Sequence, residues 1–453
     1  MRKSKISPYF LKNLRNLGEI PNVPYLYKIA KKEIEKRLQE IGFTRYHSRF
    51  HKKKEGCFFA SDELATYAKI RRGKPNFSLI ISSHLDHPGF AIKNSKEGIA
   101  LGSIGITRLK KYIEKENIPL KIYGPNGKLI TTNAFITEIS KEETKPIIFL
   151  KTKDKIPSNS YGIFNLPFIC IEEEKIKMLT ADNVACSAAI LQCLKNVIEE
   201  RNQFKNVDLT VVFSYIEEIK QISMTGIAKR KKTPFEDLKK EMIYIALEAM
   251  ESEIDDNQKE ILKKFALPKP NYESGVLIKI TDSNLVFGQG YLEKNLAEEL
   301  LLSACKKNNI NYQHTISSGT SEGTALSLFN ISSNIATLVI PNRHKHNLGD
   351  EGEIVSEEIK ISDLIDAIKI LSTAIKISDE KKPIEEHGLA ERLKKTNLSA
   401  PPKKLKAMKK EREILLTASL PRLRLACFYP NSTKEKIIID FHRSLAKIQS
   451  LIA

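Results

Sequence analysis

Tryptophan is absent from this chain of 453 residues, and aromatic residues make up only 7% of it. No run approaches the ~18–20 apolar residues that cross a bilayer as a helix. The stretch Met1–Phe10 is basic but lacks a signal peptide's apolar core, which is about 7–15 residues long. Six cysteines (Cys57, Cys170, Cys186, Cys193, Cys305 and Cys427) are scattered without any C-x-x-C pair. That spacing excludes a disulfide framework and a zinc knuckle, and predicts reduced thiols in a cytoplasmic protein. No internal repeat is visible. What is present is a globular composition, with 41% hydrophobic and 28% charged residues. Runs of Ile, Leu and Val recur along the whole length, so disorder throughout is excluded. The chain is long enough for one large domain or a few ordinary ones.

The charge is strongly positive, with 74 Lys and Arg against 55 Asp and Glu, a net +19. Residues 378–453 alone hold 17 basic and 9 acidic residues and so carry +8 of it. Such a field could attract anionic partners. No aromatic-and-basic motif accompanies it, so it reads as solvated basic faces rather than a nucleic-acid interface. Neither nucleic acid nor a membrane is expected as a partner.

Hydrophobic periodicity predicts a helix over residues 25–41 and another over 182–198, with a last one ending near Ile377. Short apolar runs predict buried strands at Ser78–Ser83, Leu209–Ser214, Glu241–Glu248, Ser274–Ile280 and Ile335–Pro341. Between Asn94 and Ile171 the texture becomes β-rich, with turn signals such as Pro125-Asn126-Gly127. The expected fold is therefore α/β, a central, mostly parallel sheet flanked by helices and interrupted by a small β-domain. The expected boundaries are 1–93 and 172–377 for the two parts of the α/β domain, 94–171 for the insert, and 378–453 for a basic C-terminal extension. Pro383 and Pro401-Pro402 mark that extension as a linker with short helices.

Ligand-type side chains recur where these strands end. His84-Leu85-Asp86-His87 follows the first buried strand. Leu179-Thr-Ala-Asp182-Asn183 opens a helix, and Glu217-Glu218 closes the strand at Leu209. Glu248 closes another, and Arg343-His344-Lys345-His346 follows the strand at Ile335. Taken singly, each has a plain role: Asp182 as an N-cap, the glutamates as a surface pair, the histidines as solvated loop residues. In open α/β sheets, however, ligands bind at the carboxyl ends of strands. Adjacent buried carboxylates repel unless a cation offsets them. Imidazoles and carboxylates around a shared aspartate would suit a pair of divalent cations.

In this order, the constellation resembles the co-catalytic metallopeptidases, specifically the M42 glutamyl aminopeptidase (deblocking aminopeptidase) family. The resemblance covers roughly residues 12–376, including the placement of the β-rich insert between the H-x-D segment and Asp182. It implies a zinc-peptidase-like fold with an inserted small β-barrel-like domain that builds a homo-oligomer. It implies hydrolysis of N-terminal residues from short peptides, with two divalent ions as cofactors, zinc first and cobalt or manganese as alternatives. Carried over, His84, Asp182, Glu218, Glu248 and His346 would bind metal, with Asp182 bridging. Glu217 would be the general base, and Asp86 would orient His84. Gly319, Thr320 and Ser321 would lie at the substrate pocket. The chain departs from the family in having Glu248 for an aspartate, Ser321 for the loop aspartate, and His87 where an acidic residue is usual.

Two other readings stand beside this one. Glu248 also fits an M20-like carboxypeptidase or N-acyl amino-acid deacylase, although those enzymes place their extra domain after the Glu-Glu motif. A catalytically weak relative acting as a binding protein through its basic tail is the second.

Overall fold

The computed structural model describes residues 6–51, 54–75, 77–102, 104–140, 146–252, 254, 259–260, 262–263, 267–280, 295–317, 319–332, 334–349, 351–379 and 406–417. Strands β1 to β4 are Thr44–Arg45, Gly56–Ser61, Ala65–Arg72 and Leu79–His84; β5 to β10 are Gly89–Ile92, Glu97–Leu101, Ile118–Tyr123, Leu129–Ile139, Ile147–Lys151 and Ser160–Phe164. Strands β11 to β14 are Ile169–Ile171, Lys175–Met178, Val207–Ser214 and Ile243–Met250; β15 to β18 are Val276–Lys279, Tyr312–Thr315, Ile335–Arg343 and Glu357–Lys360.

One large sheet runs β1-β2-β3-β13-β4-β14-β17-β18-β12-β11, with β15 pairing β17 and β16 pairing β15. Its centre is parallel: β4 lies between β13 and β14, and β14 pairs β17, all in one direction. Every residue of β4 and of β14 is buried, which explains why these strands read as continuous apolar runs rather than alternating ones. Helices flank the sheet. Pro8–Gly18, Cys186–Glu199, Leu296–Lys307 and Ile361–Asp379 pack in one group, while Ile222–Arg230 and Glu322–Leu328 pack together. The first of these starts where its sequence says it should, with Ser7 Oγ accepting from Phe10 N–H and Pro8 in the first turn.

Strands β5 to β10 close into a six-stranded barrel, in the order β10-β5-β6-β9-β8-β7. The barrel has its own core, in which Phe90, Leu120, Ile136, Ile148 and Phe164 are buried. The main sheet and its helices bury a separate and larger cluster. Closure also removes the unpaired edges of the inserted strands. The fold class expected from the sequence is therefore the one observed.

Local details differ from the periodicity. The helix predicted from Asp182 begins at Cys186, because Asp182 and Asn183 hold non-helical backbone angles in a kinked turn. Strand β14 runs on to Met250, so Glu248 lies inside it rather than at its end. Ile169–Ile171 pairs with β12 in the large sheet, not in the barrel. In the C-terminal extension, residues 406–417 form a helix whose Leu415 and Leu416 are buried in the main core. The prolines of the extension and Cys427 lie outside the described residues. Among the described residues no helix is long and apolar enough to cross a membrane.

Candidate metal centre and active site

Parallel strands all present their carboxyl ends at one edge, and the candidate residues gather there. His84 is the last residue of β4, and Glu217 and Glu218 follow β13 by a few residues. Glu248 sits near the end of β14, and His346 lies in the loop after β17. That loop curls sharply, with His344, His346 and Asn347 at φ of 60, 59 and 63°. Such left-handed residues are uncommon outside glycine, and here they swing the His346 ring back over the sheet edge. Asp182 enters from the kinked turn, where its peptide bond to Asn183 is cis. Asn183 anchors the turn by donating from Nδ2 to Leu247 O at 2.8 Å and to Glu248 Oε2 at 2.7 Å.

The side chains meet in two overlapping groups. His84 Nε2 lies 3.2 Å from Asp182 Oδ1 and 3.3 Å from Glu248 Oε2. His346 Nε2 lies 3.2 Å from Glu218 Oε1 and 3.6 Å from Asp182 Oδ2. Asp182 thus turns one oxygen to each imidazole. Glu217 is further off, its Oε2 3.9 Å from His84 Nε2. Among the described residues, three sets of ligand atoms lie close enough to share an ion: His84 with Asp182 and Glu248, His84 with Glu217 and Glu218, and Asp182 with Glu218 and His346.

The hydrogen bonds of His84 and its neighbours show that a cation fits. His84 Nδ1 is 2.9 Å from the Asp86 main-chain oxygen, which can only accept. A neutral His84 therefore carries its proton on Nδ1 and points the Nε2 lone pair at two carboxylates. Glu248 Oε1 and Glu218 Oε1 are themselves buried with no hydrogen-bond partner among the described residues. Lone pairs facing lone pairs in a desolvated site need a positive charge between them. The imidazoles and Lys345, whose Nζ lies beside Asp182, can supply it. Burial opposes the charge on His84, but Glu248, Asp182 and Asp86 outweigh it and raise its pKa well above the ordinary value. In the same way burial is overcome by Glu218 and Asp182 at His346, which is pushed up to about 10. At Asp182 the penalty of burial is outweighed by Lys345, His346 and His84, which hold the carboxyl well below its usual range. The donor set is nitrogen and oxygen only, suited to zinc, cobalt or manganese.

Outer contacts fix these groups. Asp86 accepts the main-chain N–H groups of Glu217 and Glu218 at 2.9 and 3.2 Å, and its Oδ1 is 3.5 Å from His84 Nδ1. It thereby ties the β4 loop to the β13 loop. His87 is buried, with Nδ1 2.7 Å from Asp182 O and Nε2 3.0 Å from Asn347 Oδ1. Four residues that sequence reasoning missed also belong here. Glu357 accepts the Asp182 N–H at 2.8 Å and the His346 N–H at 2.7 Å. Burial, with Asp182 adding to it, pushes its carboxyl up to about 8. Lys345 Nζ lies 3.0 Å from Asp182 Oδ2. Gln221 donates from Nε2 to Glu217 Oε1 at 2.8 Å. Glu322, beside the loop singled out in the sequence, is buried and bonds Ser214 Oγ. Burial, with Glu248 adding to it, pushes Glu322 up to about 7. Three signals pointed to some of them: Lys345 lies between two noted histidines, Gln221 is four residues beyond Glu217, and Glu322 directly follows the Gly319–Ser321 loop.

Replacing Glu357 by glutamine puts an N–H2 against one of two main-chain N–H groups. Metal affinity is expected to fall about 10–100-fold, as when other outer partners of ligands are lost. Titration with a competing chelator measures this, and unchanged affinity would show that Glu357 does not hold the Asp182 and His346 segments in place.

A cleft of about 560 Å³ opens over the cluster, lined by Glu217, Glu218, Gly319, Thr320, Lys345 and His346 among others. Thr320 Oγ1 accepts from Gln221 Nε2 at 2.8 Å. Ser321 is turned away from it. Its Oγ caps the helix Glu322–Leu328 and lies 3.0 Å from Thr337 Oγ1.

The fold is α/β, with acids and imidazoles that could hold metal gathered at the carboxyl edge of a parallel sheet. The match to known families agrees. Residues 150–366 match the family model described as M42 glutamyl aminopeptidase. Peptide hydrolysis is the class of activity that this match supports. The chain is similar in fold to the TET aminopeptidase of a marine sediment Thaumarchaeota archaeon, at TM-score 0.60 and 11% identity, covering 85% of this chain and 99% of that one. It is similar to an aminopeptidase of the archaeon Desulfurococcus kamchatkensis, at TM-score 0.57 and 15% identity, covering 86% and 99%. It is also similar to the TET1 peptidase of Pyrococcus horikoshii, at TM-score 0.58 and 12% identity, covering 81% and 99%. That peptidase can assemble into a tetrahedron or a large octahedral shell. No curated protein matches the chain in sequence.

Proposed function

We propose that this chain is a metal-dependent aminopeptidase that removes N-terminal residues from short peptides. The observation that carries the reading is Asp182, whose two oxygens face two different imidazoles. Two divalent cations, zinc first and cobalt or manganese as alternatives, would be held by His84, Asp182 and Glu248 on one side and Asp182, Glu218 and His346 on the other. When bound, such ions acidify a water and polarise the scissile carbonyl. Glu217 takes the proton from the attacking water and delivers it to the leaving amine. Burial lifts its carboxyl well above the ordinary glutamate value, with Glu218 and Glu248 adding to the shift. Asp86 holds the Glu217 and Glu218 main chain in place. Gly319 and Thr320 form one wall against the substrate.

The barrel is read as an oligomerisation domain, and a homo-oligomer as the working form. Leu129, Phe135 and Phe149 stand 53%, 36% and 37% exposed on its strands, an apolar surface suited to a second copy. The TET relatives' assembly supports the same reading.

Purified protein is expected to hydrolyse amino-acid p-nitroanilides, to lose that activity to a chelator, and to regain it with zinc, cobalt or manganese. Absence of chelator-sensitive hydrolysis on every N-terminal residue would overturn the aminopeptidase reading. Cleavage of N-acylated amino acids without cleavage at free N-termini would assign the chain to the deacylases instead.

A further inference from the structure

The C-terminal extension is the segment to which peptidase chemistry gives no role, yet part of it reaches the active site. In the helix at 406–417, Met408, Arg412, Leu415 and Leu416 share one face, at the i, i+4, i+7, i+8 spacing. Leu415 and Leu416 are 6% and 2% exposed and join the main core. Lys409 Nζ lies 4.8 Å from the centre of the Phe329 ring, and Glu411 Oε1 lies 3.9 Å from Lys220 Nζ. These contacts seat the helix so that Met408, Glu411 and Arg412 form part of the cleft wall.

Arg412 is the informative residue. It is 3% exposed, and its Nε and Nη2 both donate to Gln221 Oε1, at 3.1 and 2.7 Å. A guanidinium has donors only, so it selects the amide oxygen and forces the amide nitrogen to the far side. There Gln221 Nε2 donates to Glu217 Oε1 and to Thr320 Oγ1, both at 2.8 Å. A flipped amide would set its oxygen against the Glu217 carboxylate. With Oε1 engaged, Glu217 keeps Oε2 on the side of His84 and the acidic cluster.

We propose that Arg412, delivered by the C-terminal helix, is a positioning residue for the general base. It locks the Gln221 amide so that Glu217 holds one oxygen ready for the attacking water. The proposal rests on the aminopeptidase reading with Glu217 as base. It gives the extension a part in catalysis from within the same chain.

The test uses the full chain and amino-acid p-nitroanilide substrates. Arg412→Met is expected to lower kcat about 10–100-fold, the scale at which a misplaced catalytic group slows a reaction, with KM and bound metal nearly unchanged. Arg412→Lys, which keeps one donor, recovers part of the loss. Arg412→Met combined with Gln221→Leu is expected to be no slower than Gln221→Leu alone, since both cut the same chain of contacts. Wild-type kcat in Arg412→Met, or losses that multiply in the double variant, would overturn the proposal, as would a fall in kcat matched by a fall in bound metal. If Arg412→Met does not fold, Arg412→Lys and Gln221→Leu carry the comparison, and full activity in Gln221→Leu is then the overturning result. A wild-type chain without chelator-sensitive hydrolysis is a separate outcome that removes the aminopeptidase reading itself.

Discussion

Glu217→Gln is expected to lower kcat about 10²–10⁴-fold, the usual contribution of a positioned acid–base group. Glutamine matches glutamate in size and can still meet Gln221, but it cannot take a proton from water. The loss should therefore fall on turnover rather than on binding, with KM little changed. Metal content should stay at its wild-type value, because the two tighter ligand groups around Asp182 do not need Glu217. The check is steady-state kinetics alongside elemental analysis of the same preparation. Near-normal turnover would remove Glu217 from the role of base. Lost metal together with lost turnover would make it a ligand, which its position near His84 and Glu218 also permits.

Asp182→Asn is expected to have the next largest effect, and of a different kind. Asp182 turns Oδ1 to His84 and Oδ2 to His346, so it is shared by both candidate positions. Asparagine removes the charge and replaces one acceptor by a donor. Metal occupancy should fall at both positions, by more than the about 10–100-fold in affinity that loss of an outer partner costs. His84→Ala, by contrast, should chiefly empty the His84–Glu248 side. Elemental analysis of the two variants side by side separates these outcomes. Full occupancy in Asp182→Asn would refute a bridging role for this residue.

Much of the site was legible because its signal is local. A buried strand in a parallel sheet reads as a short apolar run, and the residue that ends the run is placed at the carboxyl edge by the chain's own direction. His84 and the Glu217–Glu218 pair could therefore be found from strand ends alone, and parallel pairing brought them together. Glu248 was found by the same logic although β14 continues past it, because its side chain still points into the edge. The inserted barrel announced itself by a change from long apolar runs to alternating strands with turns between them.

Other features left no local trace. Periodicity carried the helix back to Asp182, whereas the chain kinks there and the helix starts at Cys186. An apolar pattern records which face is buried, not the backbone angles of a single polar residue. Glu357 reads as one of many charged residues in a strand, and only pairing at the sheet edge shows it accepting from Asp182 and His346. Ser321 stands in a loop that suggested substrate contact, but capping a helix satisfied its hydroxyl first.

By itself the sequence determined the α/β class and the kinds of group available at the strand ends, nitrogen and oxygen donors that could hold a cation. Tertiary structure alone decided which oxygen of Asp182 meets which imidazole, and that Arg412 reaches Gln221 across 191 positions of chain. The reason is physical. Apolar burial repeats with the period of a helix or a strand and so leaves a pattern, whereas a hydrogen bond between two polar side chains depends on where distant backbones come to rest.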